Sequence, residues 1–61
     1  MSKQNEMKLK IITETMTGIG VDHWKNWTAY EISTWIKNHF TVSRYISNKA
    51  SLIIFNQINE R

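Results

Sequence analysis

Apolar residues recur at helical spacing in three stretches of the chain, and polar or glycine-containing breaks separate them. In the first stretch, Leu9, Ile12 and Met16 follow the i, i+3, i+7 rule, with Met7 and Ile11 on a flanking row. This pattern predicts a helix over about residues 6–17, preceded by a polar segment, residues 1–5, expected to be flexible. Residues 8–11 also alternate as a strand would. Threonines at 13, 15 and 17 add weight to that option, because β-branching restricts side-chain rotamers in a helix. An α+β chain with a short N-terminal strand or hairpin is therefore the competing reading.

Gly18 and Gly20 break the first pattern, and a loop is expected to run on to Trp27. The Gly-x-Gly pair lacks the third glycine, the preceding buried strand and the downstream carboxylate of a dinucleotide-binding turn. Thr28 and Glu31 then have the spacing of a capping box, in which each side chain bonds the other's backbone amide, with Trp27 and Ile32 placed as a hydrophobic staple. Ala29, Ile32, Ile36 and Phe40, with Trp35 beside them, continue the apolar stripe and predict a second helix over 28–39. Thr41 and Ser43 are both suited to capping a new start. A third helix is expected over 43–59, burying Ile46, Ala50, Ile53 or Ile54, and Ile58, with Ser43, Arg44, Ser47, Asn48 and Ser51 outward. Residues 52–55 are apolar all round, which demands neighbours on several sides and leaves a buried strand as the alternative for 51–56. The expected architecture is all-α: a small single domain of three helices, dimeric if its core needs help.

Composition gives a reason to expect that help. A chain of 61 residues buries only about 60% of the surface it exposes when unfolded. Chains this short usually add disulfides, a metal or a partner. There is no cysteine, and His23 and His39 are too far apart to form a helical ligand pair. No metal or cofactor is expected. A homodimer or an obligate complex is.

The net charge of +3 falls unevenly, with +1 in residues 1–20, zero in 21–40 and +2 in 41–61. The charges are scattered singly, so neither a basic nucleic-acid tail nor a polybasic membrane anchor is indicated. No apolar run approaches the roughly 18 residues of a membrane span, and residues 1–10 lack the apolar core of a signal peptide. The expectation is a cytoplasmic protein without a membrane partner.

Chemistry-bearing residues are few. Trp24, Trp27, Tyr30 and Trp35 form a dense aromatic group, and Trp and Tyr dominate interface hot spots. Trp27 and Trp35 are assigned to structure, which leaves Trp24, Tyr30 and the neighbouring Lys25 as the expected partner-binding set. The second and third helices also invite a helix-turn-helix reading, with Arg44, Ser47, Asn48 and Lys49 facing DNA. Against it, Lys37 falls where the first helix of such a motif usually has a small residue, and Thr41 where the turn usually has a glycine. A ribbon-helix-helix arrangement would use residues 8–13 as an intermolecular strand, but its connector to Thr28 is too long. Catalysis would need Ser33 or Thr34 with His23 or His39, and nothing in their spacing marks such a pair.

In size and style the chain resembles the short adaptors and inhibitors of phages and mobile elements, a likeness that transfers no residue. The expected function is a non-enzymatic regulatory protein that docks on a partner protein. A dimeric DNA-binding regulator is the alternative.

Overall fold

Ser2 opens the first helix, its hydroxyl accepting from the amide of Asn5 at 3.2 Å. In the computed structural model, which describes residues 2–60, α1 runs Lys3–Ile19, a short 3-10 helix covers Val21–Trp24, α2 runs Ala29–Phe40 and α3 runs Arg44–Asn59. The first helix therefore starts earlier than the apolar pattern implies, because the Ser2 cap satisfies an amide that the polar residues 3–5 would otherwise leave open. Of the segment expected to be flexible, only Met1 lies outside the described residues. Gly18 stays helical, and α1 ends at Gly20, whose φ of 111° is open to glycine and strained for other residues. The Gly20 amide closes the helix on the carbonyls of Met16 and Thr17.

The threonines that favoured a strand are accommodated by back-bonding. Thr13 Oγ1 donates to the carbonyl of Leu9 at 3.0 Å and Thr15 Oγ1 to that of Ile11 at 2.7 Å. No strand is present among the described residues; 7–13 and 51–56 are both helical, so the α+β and ribbon-helix-helix alternatives fall.

The capping box of α2 forms as its spacing requires: Thr28 Oγ1 accepts from the Glu31 amide at 3.1 Å, and Glu31 Oε1 accepts from the Thr28 amide at 2.9 Å. Trp27, ahead of the cap, packs half-buried on the core. At the other end Thr41 serves as the C-cap of α2 in the left-handed conformation, φ 50°, while Ser43 alone caps α3.

Contacts between elements define the topology. Ser33 meets Ser47 and Asn48. One turn earlier Ala29 shares a groove with Ser51 and Leu52, and one turn later Lys37 shares one with Arg44. α2 and α3 are thus an antiparallel hairpin in contact along its length, unlike the steeply crossed pair of a helix-turn-helix. Lys8, Ile11 and Ile12 lie beside Phe40 and Val42 at the α2–α3 turn, whereas Thr17 and Gly18 lie beside Ile53 and Gln57. α1 therefore runs parallel to α3, giving an up-down-up bundle.

Ile12 and Met16 of α1, Trp24, Ile32 and Ile36 of α2, and Ile46, Ala50 and Ile54 of α3 form one buried cluster. α3 packs on α1, on α2 and on the 3-10 helix, which is why its apolar run is wider than one stripe. Leu52 nonetheless stays outside, 55% exposed. The α2–α3 seam is built from small side chains. Ser33, Ser47 and Ser51 are buried, although the last two were expected to face outward. Each pays no unsatisfied-hydroxyl penalty, since Ser47 Oγ donates to the Arg44 carbonyl at 3.0 Å and Ser51 Oγ to the Asn48 carbonyl at 2.8 Å.

Candidate functional site

Tyr30 is the most exposed large apolar side chain among the described residues, at 76%. It sits on the second position of α2, held there by the capping box, and borders the outer groove of the α2–α3 hairpin. Tyr30, Ser33 and Lys37 line the groove from α2, and Arg44, Ser47 and Asn48 from α3. No α1 residue lines it, so it opens on the side away from α1. Beyond one end Tyr30 and Leu52, both exposed, line an adjoining groove from opposite sides of the seam. At the other, Lys37 in the last turn of α2 comes beside Arg44 in the first turn of α3. No carboxylate lines the groove, and neither cation has an ion-pair partner among the described residues. Between the two ends Ser33 Oγ donates to Asn48 Oδ1 at 2.6 Å, which pins the Asn48 amide over the seam. The arrangement is an apolar anchor point, a fixed amide and a doubly basic end in one line.

The structure thus brings Tyr30, Arg44 and Asn48 together, although they belonged to separate expectations. It divides the rest. Trp24, expected to be open to a partner, is fully buried at 0% exposure, so the docking surface cannot be centred on it. The polar neighbours His23 and Lys25 concealed this, because a 3-10 turn directs one side chain inward irrespective of any helical period. Its indole N–H points to the Met16 carbonyl at 3.5 Å. Lys25 is exposed but does not line the groove. Of the DNA-reading set, Ser47 is buried and Asn48 has committed its carbonyl oxygen to Ser33. Lys49 lies over the ring of Tyr45, 5.5 Å from its centroid.

The aromatic residues form a structural chain. Trp24 packs edge-on against His23, Trp27 and Trp35, with centroids 4.5, 4.9 and 4.7 Å away. Trp35 in turn stacks on His39 at 4.0 Å, and His39 Nδ1–H donates to the Trp35 carbonyl at 2.9 Å. The hydroxyls that catalysis would need as nucleophiles have other partners. Ser33 bonds Asn48, and Thr34 Oγ1 donates to the Tyr30 carbonyl at 3.0 Å. No group of three or more His, Cys, Asp or Glu residues that could hold a metal ion occurs among the described residues. No helix among them is long and apolar enough to cross a membrane.

Lys37 and Leu52 escaped sequence reasoning. Lys37 enters the sequence reading only as too large for its slot in the first helix of a helix-turn-helix, and Leu52 only as part of a run that is apolar all round; the signal available was the charge of Lys37 at the end of a helix that must turn back on itself.

Compared with known proteins, the chain matches no family model, and neither a curated protein nor a solved structure matches it.

Proposed function

We propose that this chain is a non-enzymatic docking module that holds a segment of a partner protein across the outer face of the α2–α3 hairpin. The observation that carries the reading is the line from Tyr30 and Leu52 to Lys37 and Arg44, which joins two exposed apolar side chains to two cations that have no ion-pair partner among the described residues, with no carboxylate lining the groove between them. The complementary segment carries an apolar side chain to cover Tyr30 and Leu52 and, about two helical turns further on, acidic side chains for Lys37 and Arg44. Binding alone is the mechanism: the partner is regulated by having that segment covered.

The DNA-binding alternative has less support. Its reading face would need Ser47, which is inside the hairpin, and a perpendicular recognition helix, which the antiparallel seam does not provide.

A photo-crosslinking residue at Thr34, beside the groove, tests the proposal. It should capture one protein species, identified by mass spectrometry and then reconstituted with the purified chain. In that complex Tyr30→Ala should weaken binding by about 30-fold, the scale of a hot-spot residue. Lys37→Glu with Arg44→Glu should abolish it, and Lys25→Ala should leave it unchanged. Binding that survives Tyr30→Ala and the double reversal would refute the proposal. A gel shift with DNA that weakens steeply as salt rises would replace it with the alternative.

A further inference from the structure

The solvent side of α1 carries features that the isolated bundle does not use. Ile12 and Met16 point into the core, whereas Met7 and Ile11, one turn apart on the opposite face, are 57% and 54% exposed. Gln4, Glu14 and Gly18 extend the same stripe at i, i+3, i+4 spacing. Gly18 has no local reason to be glycine. Its backbone is helical, its φ is not positive, and a Cβ built there would meet nothing within 4 Å. A glycine in a helix interior weakens the helix relative to alanine, and one facing outward is suited to the close approach of another backbone.

Charge identifies what approaches. Lys3, Lys8 and Lys10 outnumber Glu6 in the N-terminal half of α1, and Glu14 is the charged residue of its C-terminal half, so the net order of charge is the reverse of what the helix dipole favours although Glu6 itself sits in the favoured first turn. The polarity extends to the whole bundle. Lys37 and Arg44 join the lysines at the end formed by the α2–α3 turn, and Asp22, Glu31 and Glu60 lie towards the other end, outnumbering Lys25 there. A surface complementary to this stripe must be apolar at its middle and carry the opposite order of charge along its length. A second copy of the same helix, turned end for end, meets both conditions.

We infer that the chain forms an antiparallel twofold dimer through the outer face of α1, with Ile11 opposite Ile11 of the second copy. In this register Met7 covers Thr15 of the other copy and Gln4 lies against its Gly18. In the same register Glu14 lies opposite Lys8 of the second copy and within a turn of its Lys10, so the Lys10–Glu14 ion pair, 4.0 Å within one chain and highly exposed, gains cations from the other copy. The inference is independent of the docking face, since α1 contributes nothing to the α2–α3 groove.

Sedimentation equilibrium of the unmodified chain should give twice the 7.3 kDa chain mass in low salt; a monomer up to millimolar concentration overturns the proposal. Lys10→Glu and Glu14→Lys should each sediment as monomers with unchanged helicity, and an equimolar mixture of the two should dimerise. Both variants lack the intrachain pair, so only charges facing each other across an interface restore association. Failure of the mixture to dimerise overturns the proposal. Because the chain has no cysteine, Ile11→Cys should form a disulfide dimer under mild oxidation at least tenfold faster than Leu52→Cys on the far side or Met7→Cys on the same stripe. Equal rates at positions 11 and 52 reject this face, and equal rates at 11 and 7 reject the antiparallel register.

Discussion

Trp24 is where the chain concentrates its stability. Burying an indole removes roughly 200 Å² from water, worth about 5 kcal/mol at 25 cal/mol per Å² before the cost of ordering it. The ring also joins the 3-10 helix to α1 through the Met16 carbonyl and to α2 through Trp35. Trp24→Ala should therefore cost about 3–5 kcal/mol, most of what a domain this small possesses. Urea denaturation and far-ultraviolet circular dichroism should show a chain largely unfolded at 37 °C; a native spectrum with a midpoint close to that of the unmodified protein would contradict the assignment of Trp24 to the core. The residues around it explain why its role was hard to read. Asp22, His23 and Lys25 are polar, and in a four-residue 3-10 turn no repeat is long enough to show which member points inward.

At the scale of elements, end signals and periodicity did most of the predictive work. The Thr28–Glu31 box marked the start of α2 because its geometry is local, needing only two side chains and two amides three residues apart. The stripes of α2 and α3 were legible for a similar reason: Ile32, Ile36, Ile46, Ala50 and Ile54 face one common core. What the pattern could not give was the meaning of serine. Ser47 and Ser51 read as solvent-facing by type, yet small hydroxyl side chains that bond their own helix allow α2 and α3 to pack closely, and that depends on which helix lies opposite. The candidate groove was legible only in pieces for the same reason, since Tyr30 and Leu52 are 22 positions apart and come to line one groove through the antiparallel register. Thr41 is the element-scale weak point. A β-branched residue at φ 50° is strained by roughly 1–2 kcal/mol, and nothing in the hydrogen bonding of its side chain offsets this. Thr41→Gly should raise stability by about 1 kcal/mol in urea or thermal melts, even after the added entropy of a glycine in the unfolded chain is counted. A melting temperature that falls would show that the Thr41 side chain contributes something else.

For the whole molecule, a radius of gyration of 10.6 Å equals the roughly 10.5 Å of a fully compact chain of this length, so its extents of 30 × 17 × 17 Å describe a short rod. Along that rod the charges separate, with Lys3, Lys8, Lys10, Lys37 and Arg44 crowded towards one end and only Glu6 among them. Repulsion within that cluster acts over distances near the Debye length of about 10 Å at 0.1 M salt, and is relieved above it. Raising sodium chloride from about 0.05 to 0.5 M should therefore raise the melting temperature of dilute, monomeric protein by several degrees, and a lower melting temperature would mean that attraction between unlike charges dominates. The opening of the α2–α3 groove away from α1 matters at this scale too. In a pair joined back to back through α1, the two grooves look outward in opposite directions, too far apart for one short peptide to bridge. A filament, a ring or any target displaying the recognised segment repeatedly would be gripped at two points, and simultaneous engagement can multiply apparent affinity by roughly 10²–10⁴ with no new contact made. Such a bivalent clamp would discriminate assembled targets from their free subunits by geometry alone.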